Sequence, residues 1–137
     1  MRAQLQVNCS KSNLPTIRDF VRTNLFAMDI SGKTSDQIVL AIDEACANSI
    51  IHQHHCNEYD SIELCMYMNE ENLCIELKDS GIAFQMDKFQ PCSVEDRIRT
   101  HAKGGMGIQL IRSIMDSIEV KQDSDCHIFK FVKTITK

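Results

Sequence analysis

Near the start of the chain, Leu5 and Val7 alternate with polar neighbours and predict a short opening strand. Asn13 and Pro15 then supply a cap and a first-turn proline. The apolar residues Ile17, Phe20, Val21, Leu25 and Met28 follow helical spacing, so a helix with one buried face is expected, ended by Ser31 and Gly32. Thr34 and Gln37 have the spacing of a capping box, and Ile38, Ala41, Ile42, Ala45 and Ser49 predict a second helix reaching about His52. Strict alternation returns at Ile62, Leu64, Met66 and Met68 and again at Leu73, Ile75 and Leu77. With Asn69-Glu70-Glu71-Asn72 between them, the two runs predict a half-buried β-hairpin.

From Gln85 to Lys103 no period is sustained, and the polar and charged residues with a proline predict a long mobile loop, the kind of segment that serves as a lid. A third helix is expected after Gly107, with Ile108, Ile111, Ile114 and Met115 along one side and its end near Asp116. Strands at about Ser117 to Gln122 and Cys126 to Thr134 close the chain, with Asp123-Ser124-Asp125 as the turn between them. This order predicts an α+β two-layer sandwich: a mixed, mostly antiparallel sheet with helices on one face, forming a single domain over residues 1–137.

Composition narrows the classes. The 137 residues are 43% hydrophobic and 25% charged, which excludes disordered and collagen-like chains and is enough to bury a core. No stretch approaches the roughly 20 apolar residues of a membrane span, and Met1 to Ser10 lacks the apolar centre of a signal peptide, so a cytoplasmic protein with no membrane role is expected. The net charge is -4 and the basic residues are scattered, leaving no footprint for direct nucleic-acid binding. The 7 cysteines form an odd set without a C-x-x-C pair, which reads as reduced thiols in the core rather than a disulfide framework or zinc ribbon.

Three constellations carry candidate chemistry. Glu44, Asn48 and His52 recur at every fourth residue and would line one stripe of the second helix, beside its apolar stripe. Such a stripe borders a cleft or is simply solvated. Asp79-Ser80-Gly81-x-Ala83 ends the hairpin's second strand; it makes an ordinary turn, or it presents a carboxylate that accepts from an exocyclic amine. Gly104-Gly105-Met106-Gly107-Ile108 opens a helix, either as a plain loop or as a set of backbone N–H donors for phosphate oxygens. It is neither a Walker A loop nor a dinucleotide fingerprint.

Taken in order, Glu-x-x-x-Asn on a helix, Asp-x-Gly after a strand and Gly-Gly-x-Gly before a helix resemble the nucleotide-binding boxes of the GHKL (histidine-kinase-like) ATPase superfamily. The segments AIDEACANSIIH, LKDSGIAF and GGMGIQLIRSIMD are most similar to those of the anti-sigma-factor serine kinases, and the likeness covers nearly the whole chain. The resemblance implies ATP and Mg²⁺ as cofactors. Asn48 would be the metal ligand, with His52 on the cleft rim. Asp79 would take the adenine amino group, while Gly81 and Ala83 make room for the base. Lys103, Gly104, Gly105, Met106, Gly107 and Ile108 would form the phosphate side, and Glu44 the general base that activates a serine on a protein substrate.

The chain departs from the family pattern in places. Ala83 stands where a second glycine is common, and Asp125-Cys126 occupies the place where a Gly-Thr pair often lies near the adenine. Arg97 and Arg99 join Lys103 as candidate phosphate ligands in the lid. The run His52-Gln53-His54-His55-Cys56 is too tightly spaced to supply a tetrahedral metal site without a partner cluster, and none is evident. By resemblance, the expected function is that of an ATP-dependent anti-sigma regulatory factor. It would bind a sigma factor or similar regulator and phosphorylate a serine of a STAS-type antagonist, as a homodimer. The alternative is a catalytically weak, nucleotide-gated binding module of the same fold.

Overall fold

The structure is a computed structural model that describes residues 2–53, 56–79, 105–123 and 126–135. Strand β1 (Arg2–Asn8) shows the alternation its sequence predicts, with Ala3, Leu5 and Val7 half-buried between exposed polar residues. A 3₁₀ turn, Lys11–Asn13, leads into helix α1 (Leu14–Ala27), which carries Pro15 in its first turn. Asn13 occupies the cap position but makes no capping bond; its Nδ2 instead donates to the carbonyl of Asn8 at 2.9 Å, tying the helix entry to the end of β1.

The end of α1 is a Schellman motif. Ile30 N–H donates to Leu25 O at 2.8 Å and Asp29 N–H to Phe26 O at 3.0 Å, with Asp29 at φ 65 in the left-handed region. Ile30 and Leu25 are both buried, which supplies the apolar contact that accompanies this cap. Helix α2 (Gly32–Ala47) follows at once and starts two residues before Thr34, so the anticipated Thr34–Gln37 capping box does not mark its start. The reason is Gly32. At φ +67 it turns the chain from the extended Ser31 into the helix, a conformation that residues with side chains rarely adopt.

After α2 come strands β2 (Ser61–Asn69) and β3 (Asn72–Asp79), helix α3 (Gly105–Ile114), and strands β4 (Ser117–Asp123) and β5 (Cys126–Thr134). Helix α3 begins at Gly105, earlier than the sequence suggests. Glycines are tolerated in a first turn, whose N–H groups need no intrahelical partner. The strands form one sheet in the order β1-β2-β3-β5-β4, and the described pairs are antiparallel throughout.

Register places whole rows of side chains on a shared face. Leu5, Leu64, Leu77, Phe129 and Val120 form one row; Ala3, Met66, Ile75, Phe131 and Ile118 form the next. These rows pack with Ile17, Val21 and Leu25 of α1, Ile38 and Ile42 of α2, and Ile111 and Ile114 of α3 into the core. The opposite face is polar. There Arg2 Nε donates to Cys65 Sγ at 3.0 Å while its guanidinium lies 4.7 Å from the Tyr67 ring centre. Tyr67 in turn donates to Glu76 Oε2 at 2.6 Å. The architecture is therefore the α+β sandwich that the pattern predicts.

A cavity of about 330 Å³ lies at the α1–α2 turn, lined by residues such as Ile30, Thr34, Lys133 and Thr134. Thr134 pairs with Asn72, at the opposite end of β3 from Asp79, so this cavity is separate from the candidate site.

Candidate functional site

Asp79 ends β3 in phase with Ile75 and Leu77, so by the two-residue period it points to the helix-covered face, where its neighbours along the strand are apolar. It is fully buried, at 0% exposure. A carboxylate taken out of water is costly unless hydrogen-bonded, and Ser49 Oγ donates to Asp79 Oδ2 at 3.1 Å. Ser49 is itself buried.

Ser49 lies on a π-helical turn, Asn48–Gln53, that continues α2. Such wider turns are rare and occur frequently at functional sites. The Asn48 N–H is shared between the carbonyls of Glu44 and Ala45, where the α-helical ladder gives way. Asn48 Nδ2 is buried and has no hydrogen-bond partner among the described residues. Glu44, half-buried and one helical turn earlier, shares a face of α2 with Asn48. The structure thus places Asn48 beside Ser49, the residue that contacts Asp79, with Glu44 one turn earlier on α2. The predicted stripe reaches His52 inside the π turn Asn48–Gln53 rather than in continuous α-helix. The His52 side chain is outside what is described.

Gly105, Met106, Gly107 and Ile108 form the first turn of α3, which packs against α2, the helix that carries Glu44. Their backbone N–H groups are those that an α-helix leaves without internal partners. Gly81, Ala83, Arg97, Arg99, Lys103 and Gly104 lie outside the described residues, as does the whole lid segment 85–103.

Two neighbours of Asp79 escape a reading of the sequence. Ser49 looks like one more small residue on the apolar stripe of α2, and only its bond to Asp79 gives it a role. His127, at 3% exposure, is the register partner of Asp79 on β5. The residue beside the candidate base-reading carboxylate is therefore His127, one position beyond the Asp125-Cys126 pair to which the sequence points. Cys9 is buried in the same region. Burial first, then the negative charges of Asp79 and Asp60, push its thiol up to about 12.

A magnesium ion bound chiefly through nucleotide phosphates needs few protein ligands. Among the described residues no group of three His, Cys, Asp or Glu converges. Asn48 would hold such an ion through its side-chain oxygen, with Glu44 one helical turn away, while its buried, unpartnered Nδ2 is a donor suited to an anionic oxygen.

Residues 7–133 match the family described as Histidine kinase-like ATPase domain. The serine-protein kinase RsbW of Halalkalibacterium halodurans is 32% identical over 93 residues, covering 65% of this chain and 56% of that protein. RsbW of Bacillus subtilis (strain 168) is 26% identical over 100 residues, covering 68% and 62%. The chain thus spans less than two thirds of the length of these relatives. In structure, the RsbU and RsbW domains of Rv1364c from Mycobacterium tuberculosis superpose with a TM-score of 0.68 at 12% identity, covering 98% of this chain and 32% of that one. The SiaB-SiaC complex from Pseudomonas aeruginosa gives 0.60 at 13% identity, covering 97% and 89%. Among the described residues no helix is long and apolar enough to cross a membrane. With the family matched over most of its length, this chain belongs to the histidine kinase-like ATPase domain family.

Proposed function

We propose that this protein binds Mg²⁺-ATP and phosphorylates a serine of a STAS-type antagonist, and that it also sequesters a sigma factor or similar regulator, acting in the cytoplasm as a homodimer. The observation that carries the reading is the buried Asp79 on the apolar face of the sheet, hydrogen-bonded to Ser49 next to a buried, uncommitted Asn48 amide. Placing a carboxylate there is costly for folding and useful for reading a base. The serine-protein kinase names of the relatives support the reaction, and the SiaB-SiaC complex supports a protein as the partner.

Asp79 accepts a hydrogen bond from the adenine amino group, which orients the nucleotide from the base end. Asn48 holds the magnesium ion, which when bound neutralises phosphate charge. The first turn of α3 offers its N–H groups to phosphate oxygens. Glu44 orients the serine hydroxyl and takes its proton as the oxygen bonds to the γ-phosphorus; the bond to the β,γ-bridging oxygen breaks and ADP leaves.

Phosphate transfer from labelled ATP to the candidate antagonist tests this. Glu44→Gln is expected to slow transfer by about 10²- to 10⁴-fold while leaving ATP affinity within a factor of a few. Transfer as fast as that of the wild type removes Glu44 from the reaction. Tight ATP binding with partner capture but no transfer by the wild type selects the binding-module alternative.

A further inference from the structure

Next to the apolar row of Leu5, Leu64, Leu77, Phe129 and Val120 on the inner face of the sheet, Val7, Ile62, Asp79, His127 and Gln122 are in register. There two ionisable residues, Asp79 at 0% and His127 at 3% exposure, stand side by side. Residues directly opposite each other on antiparallel strands place their Cβ atoms about 4.5–5.5 Å apart. Phe129 and Phe131 hold the following inward positions of β5, so packing alone would be served by another apolar side chain at 127. Ser49 engages Oδ2 of Asp79 from the helix side.

We propose that His127 is a specificity-determining residue of the base pocket. While Asp79 accepts from the adenine amino group, His127 donates a ring N–H to one of the two ring nitrogens that flank that group, N1 or N7. This rests on the reading of Asp79 as the base-recognising carboxylate. The chemistry is that of complementary patterns: the pair offers an acceptor and then a donor, and adenine presents a donor beside an acceptor on either edge. On its Watson–Crick edge guanine reverses both positions, so a carboxylate would face an oxygen and a donor would face an N–H. A neutral imidazole is suited to the donor role because it carries one N–H and takes no net charge into the interior. The Gly-Thr pair common in related proteins would leave a hydroxyl in this region; an imidazole reaches further from the strand.

The test is equilibrium binding of four nucleotides, ATP, 1-deaza-ATP, 7-deaza-ATP and purine riboside triphosphate, to the wild type, His127→Leu and His127→Gln. One of the two deaza analogues is expected to bind the wild type about tenfold more weakly than ATP, the weight of one buried hydrogen bond. His127→Leu is expected to bind ATP about tenfold more weakly and to lose that discrimination, while His127→Gln, which keeps a donor, retains part of it. The inference is overturned if the wild type binds both deaza analogues as well as ATP, an outcome that needs no variant to fold. It is also overturned if either variant weakens all four nucleotides in the same proportion, as a purely structural histidine would. Purine riboside triphosphate, which lacks the amino group, separates the two levels. If the wild type binds it as well as ATP, base reading by Asp79 fails altogether; if it binds weakly but the deaza response is independent of residue 127, only the role of His127 fails.

Discussion

Ser49 donates its hydroxyl to Asp79 Oδ2 at 3.1 Å, joining the turn after α2 to the end of β3 inside the protein. The bond helps to orient the carboxylate and so links a folding contact to the proposed nucleotide recognition. Ser49→Ala removes a donor from a buried acceptor without adding bulk. It is expected to lower the unfolding free energy by about 1–2 kcal/mol in urea titrations and to weaken ATP binding about fivefold. Wild-type values on both measurements would show that Asp79 is oriented by other groups.

Asn48 presents the opposite balance. Its Nδ2 is buried without a partner among the described residues, and such a group is a cost that folding carries for another purpose. Asn48→Ala is therefore expected to leave the thermal midpoint unchanged or raise stability by about 0.5–1 kcal/mol, while abolishing the Mg²⁺ dependence of ATP binding. A clear loss of stability in calorimetry, with metal dependence intact, would make Asn48 structural.

The thiol of Cys9 gives the fold an alkaline limit. Burial, assisted by Asp79 and Asp60, pushes it from 9.0 up to about 12, and burial also raises Cys46. A raised folded value means that the native state holds its proton where the unfolded chain has lost it. The contribution is thus complete below about pH 9 and declines as pH climbs toward 12. Urea unfolding at pH 7.5, 9 and 10.5 is expected to show a steady fall, shallower in Cys9→Ala. An equal decline in that variant would assign the effect elsewhere.

At the far end of the sheet, stability rests on the Schellman turn. Ile30, at 4% exposure, follows Asp29 at φ 65 and closes the motif on Leu25. Ile30→Ala is expected to cost about 2–4 kcal/mol without altering ATP affinity in the folded protein, since this turn is remote from Asp79. Unfolding titrations and nucleotide binding on the same preparation separate the two effects.

Periodicity made much of this legible. The alternation of Ile62 to Met66 and of Leu73 to Leu77, and the helical positions Ile17, Val21 and Leu25, name residues that the structure buries, while Met68 near the end of its strand is exposed. Asp79 was also readable, because it extends the Ile75–Leu77 alternation with a carboxylate. What stayed hidden depends on register and winding. Nothing in the local sequence pairs His127 with Asp79 across two strands, and the change from α- to π-helical winding at Asn48 leaves no mark in the residue pattern. Ser49 reads as part of the apolar face because a small residue in a buried stripe looks the same whether or not its hydroxyl has work to do. The early start of α2 turns on the positive φ of Gly32, which a capping pattern beginning two residues later cannot reveal.

Base recognition by a buried carboxylate is the central claim, and ATP affinity of Asp79→Asn beside the wild type, in the presence of Mg²⁺, tests it most directly. Asparagine keeps the shape and can still accept from Ser49, so the variant is expected to unfold cooperatively yet bind ATP at least about 30-fold more weakly, the order of a charged hydrogen bond lost in the interior. Unchanged affinity in a folded Asp79→Asn protein would contradict the account.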